Sequence, residues 1–335
     1  MVYSAVSYAP MNTQLILSTD PQCVSLAADL LAQGEVVALP TETVYGLAAD
    51  AAQLEAVNKI YQVKQRPSGH PLIMHFADLE AMRPWVKAIP PLVEKLAQAC
   101  WPGPLSVLLW RSDLVTDAVT GGSDKVCVRI PSHETTRAII RRLGHPIVAP
   151  SANMFGAVSP TSAAHVMQDL QGKIAAVVDG GECQVGLEST ILDMTGSQPV
   201  LMRPGGYSLP ELEAVLGCDI LTQHDGKTQV SGNLLNHYQP HTRLQLFQPE
   251  ADYRSLAQGS ILMLRAAQIS KDQAASVTEY RMPLDAKRYA QMLYAVLRLL
   301  DQGGYQQILI EMPPDTPEWM AVRDRISKAL HKSTV

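Results

Sequence analysis

The sequence predicts an α/β protein of the α+β type: a twisted mixed sheet with helices, followed by a smaller α/β unit. Three observations lead there. Apolar runs of strand length alternate with helical patterns, yet without the regular βαβ spacing of a doubly wound fold. Polar residues gather where those runs stop, above all in Pro40-Thr41-Glu42-Thr43-Val44-Tyr45-Gly46-Leu47. Residues 218–243 are polar, rich in His, Gln and Asn, and aperiodic, which reads as a linker. At 335 residues the chain is long enough for two domains. The expected division is an extension over 1–14, a catalytic domain over 15–217, the linker over 218–243 and a small α/β domain over 244–335.

Taken in order, Val24 to Gln33 has a helical pattern that stops at Gly34, a residue suited to the left-handed conformation beyond a helix end. Val36 to Leu39 is short and apolar enough to be a buried strand, so the octapeptide emerges at a strand end, where α/β domains usually build sites. Gln53 to Gln65 reads as a helix, with Leu54, Val57, Ile60 and Tyr61 at helical spacing, and it ends near Arg66-Pro67. Lys64 and Arg66 are therefore expected at an exposed helix exit. Further strands are expected at 72–76, 105–109, 126–130, 147–149, 175–178, 189–193 and 200–202, interleaved with helices at 135–143, 161–170 and 210–216. Beyond the linker, 261–264 and 308–310 read as strands and 284–300 and 319–330 as helices, the alternation of a Rossmann-like half fold.

Composition narrows the function. With 47% hydrophobic and 18% charged residues the chain is an ordinary globular protein, and no apolar stretch approaches the ~18–20 residues of a membrane span. Met1 to Asn12 contains no Lys or Arg and no continuous apolar segment, so no secretory signal is read there and a cytoplasmic location is expected. Five dispersed cysteines without a C-x-x-C pair argue against a disulfide framework or a zinc knuckle. A net charge of −5 supplies no global footprint for nucleic acid. The cations near the motifs, Lys64, Arg66, Lys125, Arg129 and Arg203, come from distant segments and would form a local pocket only by folding together.

Hydroxyls, a carboxylate and two nearby cations at strand ends suit a small, polar, anionic ligand. Ser151-Ala152-Asn153 follows another apolar run, Ile147-Val148-Ala149, and its small residues would let a ligand approach the backbone; the same residues are also common turn formers. Gly186-Leu187-Glu188-Ser189-Thr190 is a glycine-containing loop before a strand, and Arg203-Pro204-Gly205-Gly206 places a guanidinium above a tight turn. Gly226-Lys227-Thr228 looks like the tail of a phosphate-binding loop, but Leu221 occupies the position of its first glycine. The histidines lack a matching carboxylate or cysteine pattern for a metal, so no protein-held metal is expected.

PTETVYGL, KQR at 64–66, VRIP at 128–131, SAN, GLEST and RPGG stand in the order found in threonylcarbamoyl-AMP synthases. Over roughly residues 15–217 the chain resembles the YrdC-like domain of that family, and His237-Tyr238 followed by a new αβ segment resembles its two-domain form. The resemblance implies a twisted sheet with an open concave face, and a reaction joining L-threonine, bicarbonate and ATP into threonylcarbamoyl-AMP with release of pyrophosphate. It further implies that the product passes to a separate transferase complex that modifies the adenosine beside the tRNA anticodon. ATP is then a substrate, arriving with Mg²⁺ held largely by its phosphates and water.

Adenylyl transfer builds negative charge on phosphate, so cations and oriented N–H donors should supply most of the catalysis. By resemblance Lys64 and Arg66 take that role. ATP contacts are expected from Arg66, His70, Lys125, Ser151, Ser159, Arg203 and Asn233, and L-threonine contacts from Thr43, His75, Arg129, Ala149 and Ser189. Position 70 carries His where the family more often has Asn. The linker keeps Gly232, His237, Tyr238 and Pro240 but lacks the family's proline, methionine and lysine. Alternatives are a carbamoyl-transferring maturation factor, which would add zinc-finger cysteine pairs absent here, and a module binding tRNA or double-stranded RNA on the concave face.

Overall fold

The computed structural model describes residues 12–223, 228–232, 237–248, 259–268 and 278–330. The first unit runs β1 (Gln14–Leu17), α1 (Cys23–Ala32), β2 (Val37–Leu39), β3 (Gly46–Asp50), α2 (Leu54–Lys64), β4 (Ile73–His75), α3 (Leu79–Met82), α4 (Pro91–Cys100), β5 (Leu105–Trp110) and α5 (Asp117–Thr120). It continues with β6 (Lys125–Arg129), α6 (Glu134–Leu143), β7 (Ile147–Val148), α7 (Ala163–Leu170), β8 (Ala176–Asp179), β9 (Thr190–Asp193), β10 (Val200–Arg203) and α8 (Leu209–Leu216). Its strands form one sheet in the order β1-β8-β2-β3-β7-β4-β6-β5-β9-β10. Pairings are mixed: β4–β6 and β5–β9 are parallel, whereas β2–β3, β3–β7 and β5–β6 are antiparallel.

Alternation along the strands divides the core into two faces. Val37, Leu39, Ala176 and Val178 point toward α1 and α6, joining Ala27, Leu31, Ile139 and Ile140. Ala38 and Val177 point the other way, into the larger core with Ile60 of α2, Leu96 of α4 and Leu212 of α8. Across the other half of the sheet, Ile73, Leu108, Cys127, Ile191 and Met202 cluster with no helix residue among the described ones; Val230 of the linker packs on them. The expected concave face is therefore bridged.

The second unit has β11 (Arg243–Leu246), β12 (Ser260–Leu264), β13 (Thr278–Arg281), α9 (Ala286–Asp301), β14 (Gln307–Ile310) and α10 (Met320–Leu330). Its described strands form an all-parallel sheet, β11-β14-β12-β13. Helix α9 also turns an apolar face outward: Tyr289, Leu293, Tyr294 and Leu297 share a core with Val44, Val158 and Leu187 of the first unit and Tyr238 of the linker. Arg298 adds an ion pair to Asp169 at 2.6 Å. No helix among the described residues is long and apolar enough to cross a membrane.

Candidate active site

The central strands end together, and the site lies at those ends. The octapeptide is the turn between β2 and β3; Thr41 Oγ1 closes it by donating to the Val44 carbonyl at 2.6 Å and lies 2.8 Å from Thr43 Oγ1. Gly46 permits a close approach: a Cβ there would lie only 3.1 Å from the Ala149 methyl, where β3 passes the end of β7. His75 and Arg129 face each other as the last residues of the parallel pair β4 and β6. Ser189 precedes β9, Arg203 ends β10, and the register places Ser106 beside Arg129.

One cavity collects Thr43, Arg66, His75, Arg129, Ala149, Ser151, Ser189 and Arg203. Glu188, Ser231, Gly232, His237 and Tyr238 complete its wall. Three guanidiniums thus converge from far-apart segments. Arg129 is not free: its fork donates to Glu42 at 2.6 Å and to Thr43 Oγ1 at 2.9 Å. Arg203 donates to the Ser189 carbonyl and hydroxyl and to the Ser231 carbonyl, and has no carboxylate partner among the described residues. Arg66 donates to the Pro71 carbonyl at 3.1 Å, lies over the Phe155 ring, and leaves its Nε buried without a partner. Burial lowers its pKa to about 10, so it remains charged near neutrality.

His75 is a neutral acceptor. Its Nδ1 lies 3.1 Å from the Ile73 carbonyl, which only accepts, so the proton sits on Nδ1 and Nε2 carries the lone pair. Burial, reinforced by the Arg129 charge, pushes its pKa down to about 3. Burial does the same to His237, also to about 3. Such imidazoles accept hydrogen bonds but are poor bases. Glu188 shows the opposite balance: burial raises its pKa, yet the Arg325 and Arg203 charges and the Ser159 hydrogen bond reverse this and hold it at about 2.

Several residues expected at the site stand elsewhere. Lys64 and Arg66 are buried, correcting the exposed helix exit expected from sequence. Gln65 between them takes the left-handed conformation (φ 52) that ends α2, and this turn sends the two cations different ways. Arg66 reaches the cavity; Lys64 Nζ is consumed by the Ser151 and Asn153 carbonyls, both at 2.5 Å, behind its wall. Lys125 begins β6, four residues and roughly 13 Å of strand from Arg129, and pairs with Asp193 at 2.7 Å. Ser159 is buried, donating to Glu188 at 2.7 Å. His70 sits edge-on to Phe155, outside the cavity lining. Asn233 lies outside the described residues.

The free space in this cavity is only about 40 Å³. A larger cleft of about 410 Å³ lies between the RPGG loop and the second unit, but its lining includes none of the converging guanidiniums. Residues 29–205 match the Sua5/YciO/YrdC family, described as telomere recombination, and residues 207–330 match the threonylcarbamoyl-AMP synthase C-terminal domain. The threonylcarbamoyl-AMP synthase of Bacillus subtilis is 38% identical over 95% of this chain and 95% of its own. That of Pyrococcus abyssi is 37% identical over 91% and 93%. This chain belongs to the threonylcarbamoyl-AMP synthase family. The crystal structure of P. abyssi Sua5 complexed with L-threonine superposes with a TM-score of 0.84 at 34% identity, covering 95% of this chain and 97% of that one.

Within this synthase the sequence signals were uneven. Glu188 is in the quoted GLEST motif, yet only Ser189 drew attention, because the chemistry of a buried carboxylate depends on partners that sequence does not show. Ser106 lies in the apolar run of β5 and reveals itself only by its 2.8 Å contact with Ser189 Oγ.

Proposed function

We propose that this chain is an L-threonylcarbamoyladenylate synthase that takes L-threonine, bicarbonate and ATP. The threonine amine adds to the bicarbonate carbon with loss of water, giving a carbamate. A carbamate oxygen then attacks the α-phosphorus of ATP, and the bond to pyrophosphate breaks. The observation that carries this reading is the convergence of Arg66, Arg129 and Arg203 on one cavity beside a neutral His75 acceptor. Arg66 and Arg203, which have no carboxylate partners among the described residues, suit the polyphosphate. Thr43, Ser189 and the ends of β4 and β7 suit the amino acid, with His75 Nε2 accepting from the amine and Arg129 offering its remaining N–H groups to the carboxylate.

Among the described residues Glu188 is the one acidic residue in the lining and is already engaged by Arg325, so none of them has a carboxylate there to spare for a divalent ion. Mg²⁺ would ride on the triphosphate, adding Lewis-acid stabilisation of the leaving pyrophosphate. At 40 Å³ the cavity holds a few waters, whereas small-molecule sites span ~300–1,000 Å³. Linker residues Ser231, Gly232, His237 and Tyr238 fill part of the cavity wall, so admitting ATP requires the lining to give way.

The product would pass to a tRNA-modifying transferase complex in the cytoplasm. Likeness to full-length HypF, at 20% identity and a TM-score of 0.50, reflects the fold alone and does not favour the maturation-factor reading. The test is pyrophosphate release measured with each substrate omitted in turn. Dependence on both threonine and bicarbonate is expected; ATP turnover indifferent to threonine refutes the assignment. Salt-dependent filter binding with tRNA separates the RNA-binding reading, which predicts tight retention.

A further inference from the structure

The two units meet behind the active-site wall through a buried ionic network. Glu188 Oε1 accepts from Ser159 Oγ at 2.7 Å; Oε2 accepts from Tyr294 OH at 2.9 Å and from Arg325 Nε at 2.8 Å. Tyr294 comes from α9 and Arg325 from α10. The Arg325 side chain is 0% exposed, although it lies on a helix of the second unit. Its remaining donors go to the Pro204 carbonyl at 3.0 Å and to Asp324. One guanidinium therefore grips both the residue before Ser189 and the residue after Arg203, the two loops that line the cavity's far side.

We propose that Arg325 and Tyr294 are positioning residues of the active site, setting through Glu188 the loop that presents Ser189 and Arg203 to the substrates. This rests on the synthase reading above. The physical case has two parts. A buried carboxylate with a partner removed is left uncompensated, and loops held by it relax toward solvent or protonation. Here that carboxylate also lines a cavity that must admit a polyanion, so Arg325 both orients it and cancels its repulsion of phosphate. The network extends to the linker: the Tyr238 ring stacks on Tyr294 at 5.5 Å and lies 5.2 Å from the Arg325 guanidinium. The second unit thereby fixes the cavity loops and the buried aromatic residue of the cavity wall together.

The groups facing Glu188 are Arg325 of α10, Tyr294 of α9, Arg203 of β10, Ser159, and His237 and Tyr238 of the linker, with Asp324 of α10 facing Arg325. The experiment is a double-mutant cycle in the full chain, reading threonine-dependent pyrophosphate release across pH. Arg325→Met should lower kcat/KM about 100-fold, the scale of losing a charge-assisted bond. Adding Glu188→Gln should restore at least about tenfold of that, because the unpaired charge disappears. Arg325→Met alone should gain a low-pH limb in which activity rises as Glu188 takes up a proton, and the double variant should lack it.

Additive losses with a pH profile parallel to wild type overturn the proposal. Should Arg325→Met not fold, Tyr294→Phe decides instead: it removes one hydroxyl, so melting drops by a few degrees as Glu188 loses a donor, and kcat/KM measured well below that melting point should fall about tenfold; full activity overturns the proposal. A wild-type protein without threonine-dependent release overturns the synthase reading, and the positioning role with it; a normal wild type beside additive variants overturns the positioning role alone.

Discussion

Lys64 separates two readings of the K-x-R motif. On sequence alone its ammonium belongs to the phosphate, whereas the fold spends it on the carbonyls of Ser151 and Asn153, each at 2.5 Å. Lys64→Met keeps the apolar stem and removes only the charge. Two buried acceptors then lose their donor, at about 1–3 kcal/mol each. Against this, burial holds the Lys64 pKa well below its ordinary value, with the Arg66 charge adding to the effect, so deleting the cation returns part of its desolvation cost. The net expectation is a loss of about 3 kcal/mol, which for a domain of this size lowers Tm by roughly 6–12 °C. The Ala149-Pro150-Ser151 wall loosens with it, so kcat/KM for both substrates falls together. Scanning calorimetry paired with pyrophosphate release tests this. A variant that melts like wild type yet has lost ATP binding would show the ammonium on the phosphate and refute the reasoning.

Arg66→Ala removes a cation whose only described hydrogen bond is to Pro71, and should weaken ATP binding about 10- to 100-fold; calorimetry with a non-hydrolysable analogue that gives unchanged affinity counts against it. Lys125→Ala should change the KM for ATP less than about twofold and stability by less than about 1 kcal/mol, because Asp193 holds the ammonium partly exposed at the far end of β6; a tenfold KM increase would place it at the site after all. Stability should fall in acid. His75, His165 and His237 have folded pKa values near 3, 4 and 3, chiefly through burial. The unfolded chain binds protons that the folded chain refuses, so stability is full above about pH 6.5 and is lost as pH drops toward those values. At pH 5 the fully buried His75 and His237 each cost about 2 kcal/mol by linkage, and the half-buried, solvent-screened His165 costs less, about 1 kcal/mol. His165, outside the cavity lining, is the clean probe: His165→Gln should flatten the decline of Tm between pH 7 and 5, and an unchanged slope would show that its burial carries no such penalty.

Much of the first unit was legible because its strands are short apolar runs bounded by turn residues; 105–109, 126–130 and 200–202 were placed within a residue of β5, β6 and β10. Gly46–Asp50 was not read as a strand, since GLAAD has no alternation when both faces are buried. The helix over Pro91–Cys100 and the strands at 14–17, 243–246 and 278–281 were also missed. The last three are edge or near-edge strands with polar residues that blunt the apolar signal. At the site, motif residues were found where chemistry follows from residue type. Their division into cavity and scaffold was not, because it depends on where side chains point: the left-handed Gln65 decides it for Lys64 and Arg66, and strand position decides it for Lys125.

That division explains why so many cations accompany a chain of net negative charge. Lys64 spends its ammonium on the wall, Arg129 is half committed to Glu42, and Arg325 answers Glu188 from behind. Each fixes an element of the cavity in a medium where an unpaired charge is expensive. Arg66 and Arg203 remain, buried and, among the described residues, bonded to neutral oxygens alone, a state that favours an anion. Structural ion pairs thus leave two poised guanidiniums rather than one undivided basic pocket, and an anion approaching Arg203 meets the Ser231 carbonyl already bound to its Nη1 at 2.7 Å. The seated linker and the polyphosphate therefore compete for the same guanidinium, so ATP should favour the withdrawn linker by as much as it gains from Arg203 once Ser231 has left it.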